Sequence, residues 1–529
     1  MRRFAELLER LAFTPARNGK LRLIIDYLRE TPDPDRGWGL AAITGDLALD
    51  AVKPAMLRAL VAERVDAELF ALSYDFVGDL AETIALIWPA PARPRDDPPL
   101  SEVISALRGV SRREAPQVVE RLLDRLDASG RFALLKLVTG GLRVGVSARL
   151  AKQALADFGA REVTEIEELW HGLTAPYVGL FAWLAGTGPP PKPAGTTPFR
   201  PVMLSHALEA ADLERLAPAD FAAEWKWDGI RVQAASDAGG RRLYSRTGDD
   251  IGRAFPDLLE ALDFDATLDG ELLVRRDDGG IATFSDLQQR LNRKTVTSAQ
   301  LRRYPAHLRT YDLLQRGECD LRPLPFAERR AALEDLAREL DPARLDLSPL
   351  LAFDTWEDLG ALRAAPPDPI IEGVMLKRLD APYVPGRPKG LWFKWKRDPH
   401  TVDAVLMYAQ RGHGKRSGYY SDYTFGVWTA EGALTPVGKA YFGFTDQELA
   451  EIDRWVRANT TERFGPVRAV RAEPGHGLVL EVAFEGLQRS TRHRSGLAMR
   501  FPRISRLRWD KPPSEADTLK TLAALLPPG

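Results

Sequence analysis

The run Gly186-Thr187-Gly188-Pro189-Pro190-Pro191-Lys192-Pro193-Ala194-Gly195 divides this chain into two kinds of sequence that cannot follow one folding pattern. Proline continues neither a helix nor a central strand, and a Gly/Pro run reads as a stiffened linker. Before it, apolar residues recur with the helical period: Phe4, Leu7, Leu8 and Leu11 fall at i, i+3, i+4 and i+7, and Leu21–Leu28 and Val118–Leu126 carry similar stripes. Residues 1–185 therefore predict an all-α domain, with Pro89-Ala90-Pro91-Ala92-Arg93-Pro94 as a loop inside it. After a linker placed at 186–200, short alternating stretches with intervening helices predict an α+β domain over 201–397. Beyond Asp398-Pro399-His400, strand-like runs at Val402–Tyr408, Tyr423–Trp428 and Leu478–Phe484 are separated by Gly-rich turns. One helix is announced there by Thr445 and Glu448, a capping box ahead of Leu449, Ile452 and Val456. Strands around a single helix predict an OB-fold β-barrel over 398–529, and the fold class is multidomain. Three domains also suit 529 residues, since single cores rarely exceed about 250–300.

Several functions are excluded by what the chain lacks. No apolar run approaches the ~18 residues that a membrane helix needs. The amphipathic, acid-bearing start Met1-Arg2-Arg3-Phe4-Ala5-Glu6 is neither a signal nor a transit peptide, so a cytoplasmic protein is expected. A single cysteine, Cys319, allows no internal disulfide and no all-cysteine zinc site. A net charge of −1 gives no global attraction to polyanions, and a positive surface for nucleic acid must be local. The chain holds 15 lysines against 58 arginines. A lysine retained in such a background is notable where arginine cannot substitute, as in a nucleophilic amine.

One such lysine lies in Glu224-Trp225-Lys226-Trp227-Asp228-Gly229-Ile230-Arg231. The alternation through Gln233 places Lys226 at the mouth of a strand, and its aromatic neighbours would disfavour the ammonium form. A free lysine titrates near ~10.4, and reaching about 7–8 takes roughly 4 kcal/mol of environment. That is the requirement for a lysine nucleophile, although an isolated K-x-D-G also suits a lysine snorkelling over aromatic surface.

Further stretches carry chemistry with bland readings beside it. Tyr244-Ser245-Arg246-Thr247-Gly248-Asp249 runs a strand into a turn with Arg246 at its tip, and alone is a hairpin end. Leu268-Asp269-Gly270-Glu271 places two acids at a strand start, commonly a solvated edge. In Thr310-Tyr311-Asp312, Tyr311 offers an aromatic face that could equally be core. Ile371-Glu372-Gly373-Val374-Met375-Leu376-Lys377 fits a metal-binding acid with a phosphate-facing amine, or a turn ending in a strand. Trp392-Phe393-Lys394-Trp395-Lys396 would put Lys394 and Lys396 on one strand face and Trp395 on the other. Two ammonium groups in a site neutralise phosphate and lower the pKa of a third. Arg500-Phe501-Pro502-Arg503 leads the final basic run to Lys511. Earlier, Leu134–Ser147 combines Lys136 and Arg143 with Gly140, Gly141 and Gly145, either a backbone approach to phosphates or a tight helix–helix turn.

Taken in order, the Lys226 stretch and the six that follow it as far as Lys511 resemble the motifs of the covalent nucleotidyltransferases: DNA ligases, RNA ligases and mRNA capping enzymes. Leu134–Ser147 is similar to part of the helical DNA-binding domain preceding that core in eukaryotic and archaeal type ATP-dependent DNA ligases. The chain as a whole resembles an ATP-dependent DNA ligase of the bacterial form with such a domain. The resemblance implies that Lys226 attacks the α-phosphate of ATP and carries AMP as a phosphoramidate. AMP then passes to the 5′-phosphate of a nick in duplex DNA, and the 3′-hydroxyl displaces it. It further implies adenine contact at Glu224, stacking at Tyr311, nucleotide-holding roles for Arg231 and Arg246, and a ribose or metal role for Glu271. Mg²⁺ would be held by Glu271 and Glu372, and phosphates would meet Lys377, Lys394 and Lys396. Arg500 and Arg503 fall in the segment the family swings over the triphosphate. An arginine usually precedes the last lysine pair, but Arg387-Pro388-Lys389-Gly390 is spaced unusually, leaving Arg387 and Lys389 as alternatives.

A nick has no required sequence, so recognition is expected through phosphates and groove shape, with Arg489, Arg492, His493 and Arg494 as one basic edge or a solvated loop. The expected protein is a monomer whose partners are ATP and nicked DNA, with no membrane. An NAD-dependent ligase is disfavoured because its zinc module needs four cysteines. An RNA ligase, a GTP-using capping enzyme and a non-enzymatic DNA-binding scaffold remain as alternatives.

Overall fold

Phe4, Ala5, Leu7, Leu8 and Leu11 turn one face of the helix Arg2–Phe13 inward, and Leu21, Leu23, Ile24, Tyr27 and Leu28 do the same for Arg17–Glu30. The computed structural model describes residues 1–529 except 48, 50, 90–95, 141, 143, 171, 192–196, 292, 294, 413–417 and 527–529. Most of the Pro-rich loop, part of the 186–200 linker, and Gly141 and Arg143 of the glycine-rich run thus lie outside the described residues. Helices follow one another to Val178–Leu184. Within the glycine-rich run, Gly140 ends a helix turn at φ 67°, and Ser147 caps the helix Ala148–Gly159 by accepting from the Leu150 N–H. Lys136 is committed to Asp79 at 2.6 Å. No helix among the described residues is long and apolar enough to cross a membrane.

Two compact units divide the chain. One comprises Met1–Ala160, Thr174–Gly188 and Asp398–Gly529; the other comprises Arg161–Leu173 and Pro189–Arg397. The helix Val163–Trp170 therefore belongs with the α+β unit, where Glu168 accepts from Arg322 at 2.6 Å. Helical periodicity cannot reveal this, because the stripe says that a face is buried and not against what.

The α+β unit holds two mainly antiparallel sheets, each with one short parallel strand. Its strands, in chain order, are β1 (Phe221–Trp227), β2 (Ile230–Asp237), β3 (Gly240–Ser245), β4 (Ala266–Val274), β5 (Ala306–Arg316), β6 (Ile371–Arg378) and β7 (Trp392–Lys396). β7, β6 and β1 lie side by side, flanked by the short strands His206–Ala207 and Leu350–Leu351. The second sheet runs β3-β2-β4-β5, extended by Cys319–Asp320 and a parallel Leu345–Leu347. Each has one apolar face. Phe221, Ala223, Val374, Leu376 and Phe393 form that of the first, and Val232, Ala234, Leu268, Leu272, Leu308 and Leu313 that of the second.

In the other unit the C-terminal part is β-rich: β8 (His400–Arg411), β9 (Tyr420–Trp428), β10 (Leu434–Ala440), β11 (Thr460–Phe464), β12 (Val467–Val470), β13 (Val479–Phe484) and β14 (Arg503–Arg508). They form one sheet in the order β10-β9-β8-β12-β11, with β13 pairing both β8 and β14. The helix Asp446–Asn459 is inserted before β11 with its Thr445/Glu448 capping box formed, and buries Leu449, Ile452 and Val456.

Candidate functional site

In an antiparallel sheet, directly paired residues point to the same side. Gly373 of β6 pairs Lys226 on β1 and Lys396 on β7, and Met375 pairs Glu224 and Lys394. Lys226, Lys394 and Lys396 therefore share the face opposite the apolar layer, while Phe393 and Trp395 pack into that layer. In the second sheet, Arg231, Glu271 and Arg309 form one cross-strand row on the face away from its own core. Contacts join the two polar faces. Lys377 Nζ donates to the Tyr311 carbonyl at 2.9 Å, and Met203, Leu314, Tyr383 and Trp392 are buried together.

Gly373 explains how close the lysines stand. It adopts φ 147°, and a Cβ there would collide with the Trp395 carbonyl oxygen and lie 2.7 Å from the Lys396 Cα. Beside it the register slips, so that Ile371 and Gly373 on β6 face the adjacent Trp227 and Lys226 on β1. This bulge sets Glu372 opposite no residue of β1 and re-aims its side chain. Its carboxylate accepts a hydrogen bond from Lys226 Nζ, and Lys396 Nζ lies 3.7 Å away. Gly373→Ala is accordingly expected to push β7 from β6 and separate Lys226 from Lys396. At least about a tenfold loss in the rate of covalent AMP uptake is predicted, since misplacement near 1 Å can cost about 10²-fold. An unchanged rate in pre-steady-state labelling would contradict this packing.

The electrostatics correct one expectation. Burial does pull the Lys226 pKa down, but Glu372, Glu271 and Asp228 outweigh it and the net direction is upward. The tryptophans do not supply the anticipated dry sandwich: Trp225 turns to the apolar layer, and Trp227 stacks with Arg309 at 4.2 Å. Lys394 moves the other way, lowered by burial and then by Lys396, Arg387, Lys226 and Arg246. Four cations thus act on Lys394, Arg387 among them; Arg387 and Arg246 are exposed.

Glu271 is pushed up to about 8, first by burial and further by Glu372 and Asp269, against Lys226 and Arg231. A proton held more tightly in the folded state contributes stability that is complete below pH 4.5 and fades as pH rises through about 8. Without divalent cation, melting temperature should therefore fall across that window, and Glu271→Gln should flatten the fall. Equal slopes in the two proteins would contradict it.

Glu271 and Glu372 suit a hard divalent cation. Among the described residues no cluster of three or more His, Cys, Asp or Glu could hold a metal. Mg²⁺ typically takes one or two carboxylates and completes its shell with water and substrate phosphates. A carboxyl that resists ionising beside another carboxylate is one whose charge a cation would offset.

Other predicted residues are placed differently. Lys377, expected to face phosphate, is 1% exposed, pairs Glu224 at 2.9 Å and lies 4.4 Å from the Tyr311 ring centroid. The register sets it opposite Ala222 and Trp392, away from the Gly373 level where the other lysines gather. Glu224 is buried between Lys377 and Arg330, the latter at 3.2 Å. Burial raises its pKa while both cations oppose. Arg231 is largely committed: Asp269 accepts at 3.0 and 2.6 Å, and the Met203 carbonyl at 2.6 Å. Tyr311 lies beside it, with its phenol driven far up by burial and by Asp269. Arg500 and Arg503 belong to the other unit, where Arg503 is 3.6 Å from Glu485. Arg489, Arg492, His493 and Arg494 are exposed in that unit.

Sequence reasoning assigned no role to Asp269, Arg330, Arg309 or Asp346. Asp269 shares a strand face with Glu271, a signal available from the two-residue spacing. Arg330 gave none, since Phe326-Ala327-Glu328-Arg329-Arg330 reads as a charged helix start, yet both arginines are buried. Asp346, held near 2, accepts from Arg309 at 2.9 and 2.6 Å and so anchors the group stacked on Trp227.

Comparison with known proteins gives the family. Residues 202–396 match the ATP dependent DNA ligase domain, and residues 416–511 match the ATP dependent DNA ligase C terminal region. A probable DNA ligase of Koribacter versatilis (strain Ellin345) is 33% identical, over 98% of this chain and 95% of that one. DNA ligase 1 of Korarchaeum cryptofilum (strain OPF8) is 30% identical, over 98% and 97%. The solved structure Pmar-Lig_PreS3 shares the fold with a TM-score of 0.63 at 15% identity, covering 96% of this chain and 99% of that one.

Proposed function

This chain belongs to the ATP-dependent DNA ligases, and from that premise we propose that Lys226 is the amine that takes AMP from ATP. The family's reaction is nick sealing through an adenylate, with ATP and a divalent metal. The observation that carries the assignment is the convergence of Lys226, Glu271, Glu372, Lys394 and Lys396 around Gly373 and Met375 where two polar sheet faces meet.

The site must hold Lys226 protonated until ATP arrives and then release the proton. Glu372 and Glu271 supply the first condition. A divalent cation held by Glu271 and Glu372 would offset their charge and stabilise charge developing on phosphate oxygens. Burial and the neighbouring cations then remain, and both favour the neutral amine. Lys226 attacks the α-phosphorus, its N–P bond forming as the bond to pyrophosphate breaks. Lys394, Lys396 and Arg387 neutralise phosphate oxygens, while Arg246 reaches ribose or phosphate from its exposed turn. Glu224 and Tyr311 recognise adenine, with Lys377 holding Glu224 in place. Arg231 braces the pocket through Asp269, and Arg500 and Arg503 orient the departing pyrophosphate. The β-rich C-terminal region is an OB-type barrel, and residues 1–185 form the domain that grips nicked duplex. The working protein is a cytoplasmic monomer.

Incubation with α-labelled ATP, GTP or labelled NAD⁺, followed by denaturing electrophoresis, tests the donor. Acid-labile label from ATP alone is expected, and chase with a nicked DNA duplex should discharge it into sealed product. Label from GTP alone would turn the reading to a capping-type enzyme, and discharge only on nicked RNA to an RNA ligase.

A further inference from the structure

The helix Ala67–Val77 buries none of its residues. Leu69, Leu72 and Phe76, at i, i+3 and i+7, are 52%, 64% and 77% exposed, and Leu86 of the next helix, Leu80–Ile87, is 62% exposed. Leu72, Phe76 and Val77 face Thr83, Leu86 and Ile87 across a groove between the two helices. Apolar side chains in that register are what a protein helix meets when it lies in a groove. A solvated helix has no reason to carry them.

Charge identifies the occupant. Residues 65–88 contain Asp66, Glu68, Asp75, Asp79 and Glu82 and no lysine or arginine, in a chain with 73 basic residues among 529. Asp75 and Asp79 are paired with Arg468 and Lys136. Glu68 and Glu82 are exposed, each four residues before an apolar groove residue, Leu72 and Leu86, and therefore at the groove's flanks. Arg58, over the Tyr74 ring, and Arg411, donating to the Phe76 carbonyl, stand nearby, and the exposed Glu68 and Glu82 are what complements a cationic partner. We propose that this groove docks a basic amphipathic helix of a partner protein, with leucine-type residues in the groove and lysines or arginines against Glu68 and Glu82. The surface would recruit the enzyme to its place of work without touching DNA.

The test uses the full-length protein and two fluorescent helical peptides of identical leucine pattern, one with lysines and one with glutamates at the polar positions. Anisotropy titration should show the lysine peptide binding at least about tenfold more tightly. Leu72→Asp and Phe76→Asp, both at exposed positions, should each weaken it by about tenfold or more. A Glu68→Lys/Glu82→Lys variant should reverse the preference toward the glutamate peptide. Nick sealing on bare duplex and affinity for nicked DNA should be unchanged in all of these. Equal binding of both peptides, or indifference to the substitutions, overturns the proposal. So does loss of DNA affinity in Phe76→Asp, which makes the groove a DNA contact. A monomer–dimer equilibrium abolished by Phe76→Asp also overturns it, assigning the groove to a second copy.

Discussion

Lys226→Ala is expected to abolish covalent AMP uptake, with sealing reduced by on the order of 10³-fold or more, as when a covalent nucleophile is removed. The loss follows from chemistry that no neighbour can replace. Lys394 and Lys396 share the Lys226 face of the sheet, but they are the cations that the proposed phosphate needs, and Lys377 is sealed against Glu224. Lys226→Arg should be as inactive as alanine, because guanidinium keeps its proton. Pre-adenylated nicked DNA separates the steps. A Lys226→Ala protein should still seal it at a measurable rate, since that reaction no longer requires the amine. Retained ATP labelling in Lys226→Ala would show that another residue is the nucleophile.

The largest expected loss of stability lies behind the site. Asp312 and Arg329 are both fully buried, and the carboxylate accepts from the guanidinium at 2.8 and 3.0 Å. Arg329 also donates to the Ala381 carbonyl, so it ties β5, beside Tyr311, to the helix Phe326–Ala337 and to the chain after β6. Asp312→Ala leaves a guanidinium in the interior with its counter-charge removed, which costs about 3–5 kcal/mol. Asp312→Asn retains the shape and should lose less. The consequence should reach the nucleotide, because Arg330, the next residue, holds Glu224. Urea unfolding followed by tryptophan fluorescence should show a clearly lower midpoint for Asp312→Ala. A midpoint equal to wild type would mean that the buried pair contributes nothing to holding β5 against the helix.

Local chemistry was the legible part of this protein. The run Val402–Tyr408 lies inside β8, Tyr423–Trp428 inside β9, and the Thr445/Glu448 box caps the helix that follows it. Each depends on neighbours within a turn or on two-residue alternation, which a sequence displays directly. The same alternation placed Lys394 and Lys396 together opposite Trp395. The proton on Lys226 was not legible. Its direction is decided by Glu372, 146 residues away, delivered by a bulge that β6 reveals only when paired with β1. The pairings of Lys377 and Arg330 were hidden for a related reason. Both look like surface cations, and only the facing sheet and helix show that Glu224 gives them a buried partner. The helix Val163–Trp170 has an ordinary amphipathic stripe, and its place in the α+β unit is fixed by Arg322 reaching Glu168.

The most direct measurement of the central assignment is the site of covalent AMP. Protein incubated with ATP and Mg²⁺, digested with trypsin at a pH that preserves the phosphoramidate and sequenced by tandem mass spectrometry, should carry one adenylyl group on Lys226. Because trypsin does not cut after a modified lysine, the group should appear on the uncut peptide 216–231. An adenylyl group on any other lysine, with Lys226 cleaved normally, would contradict the account.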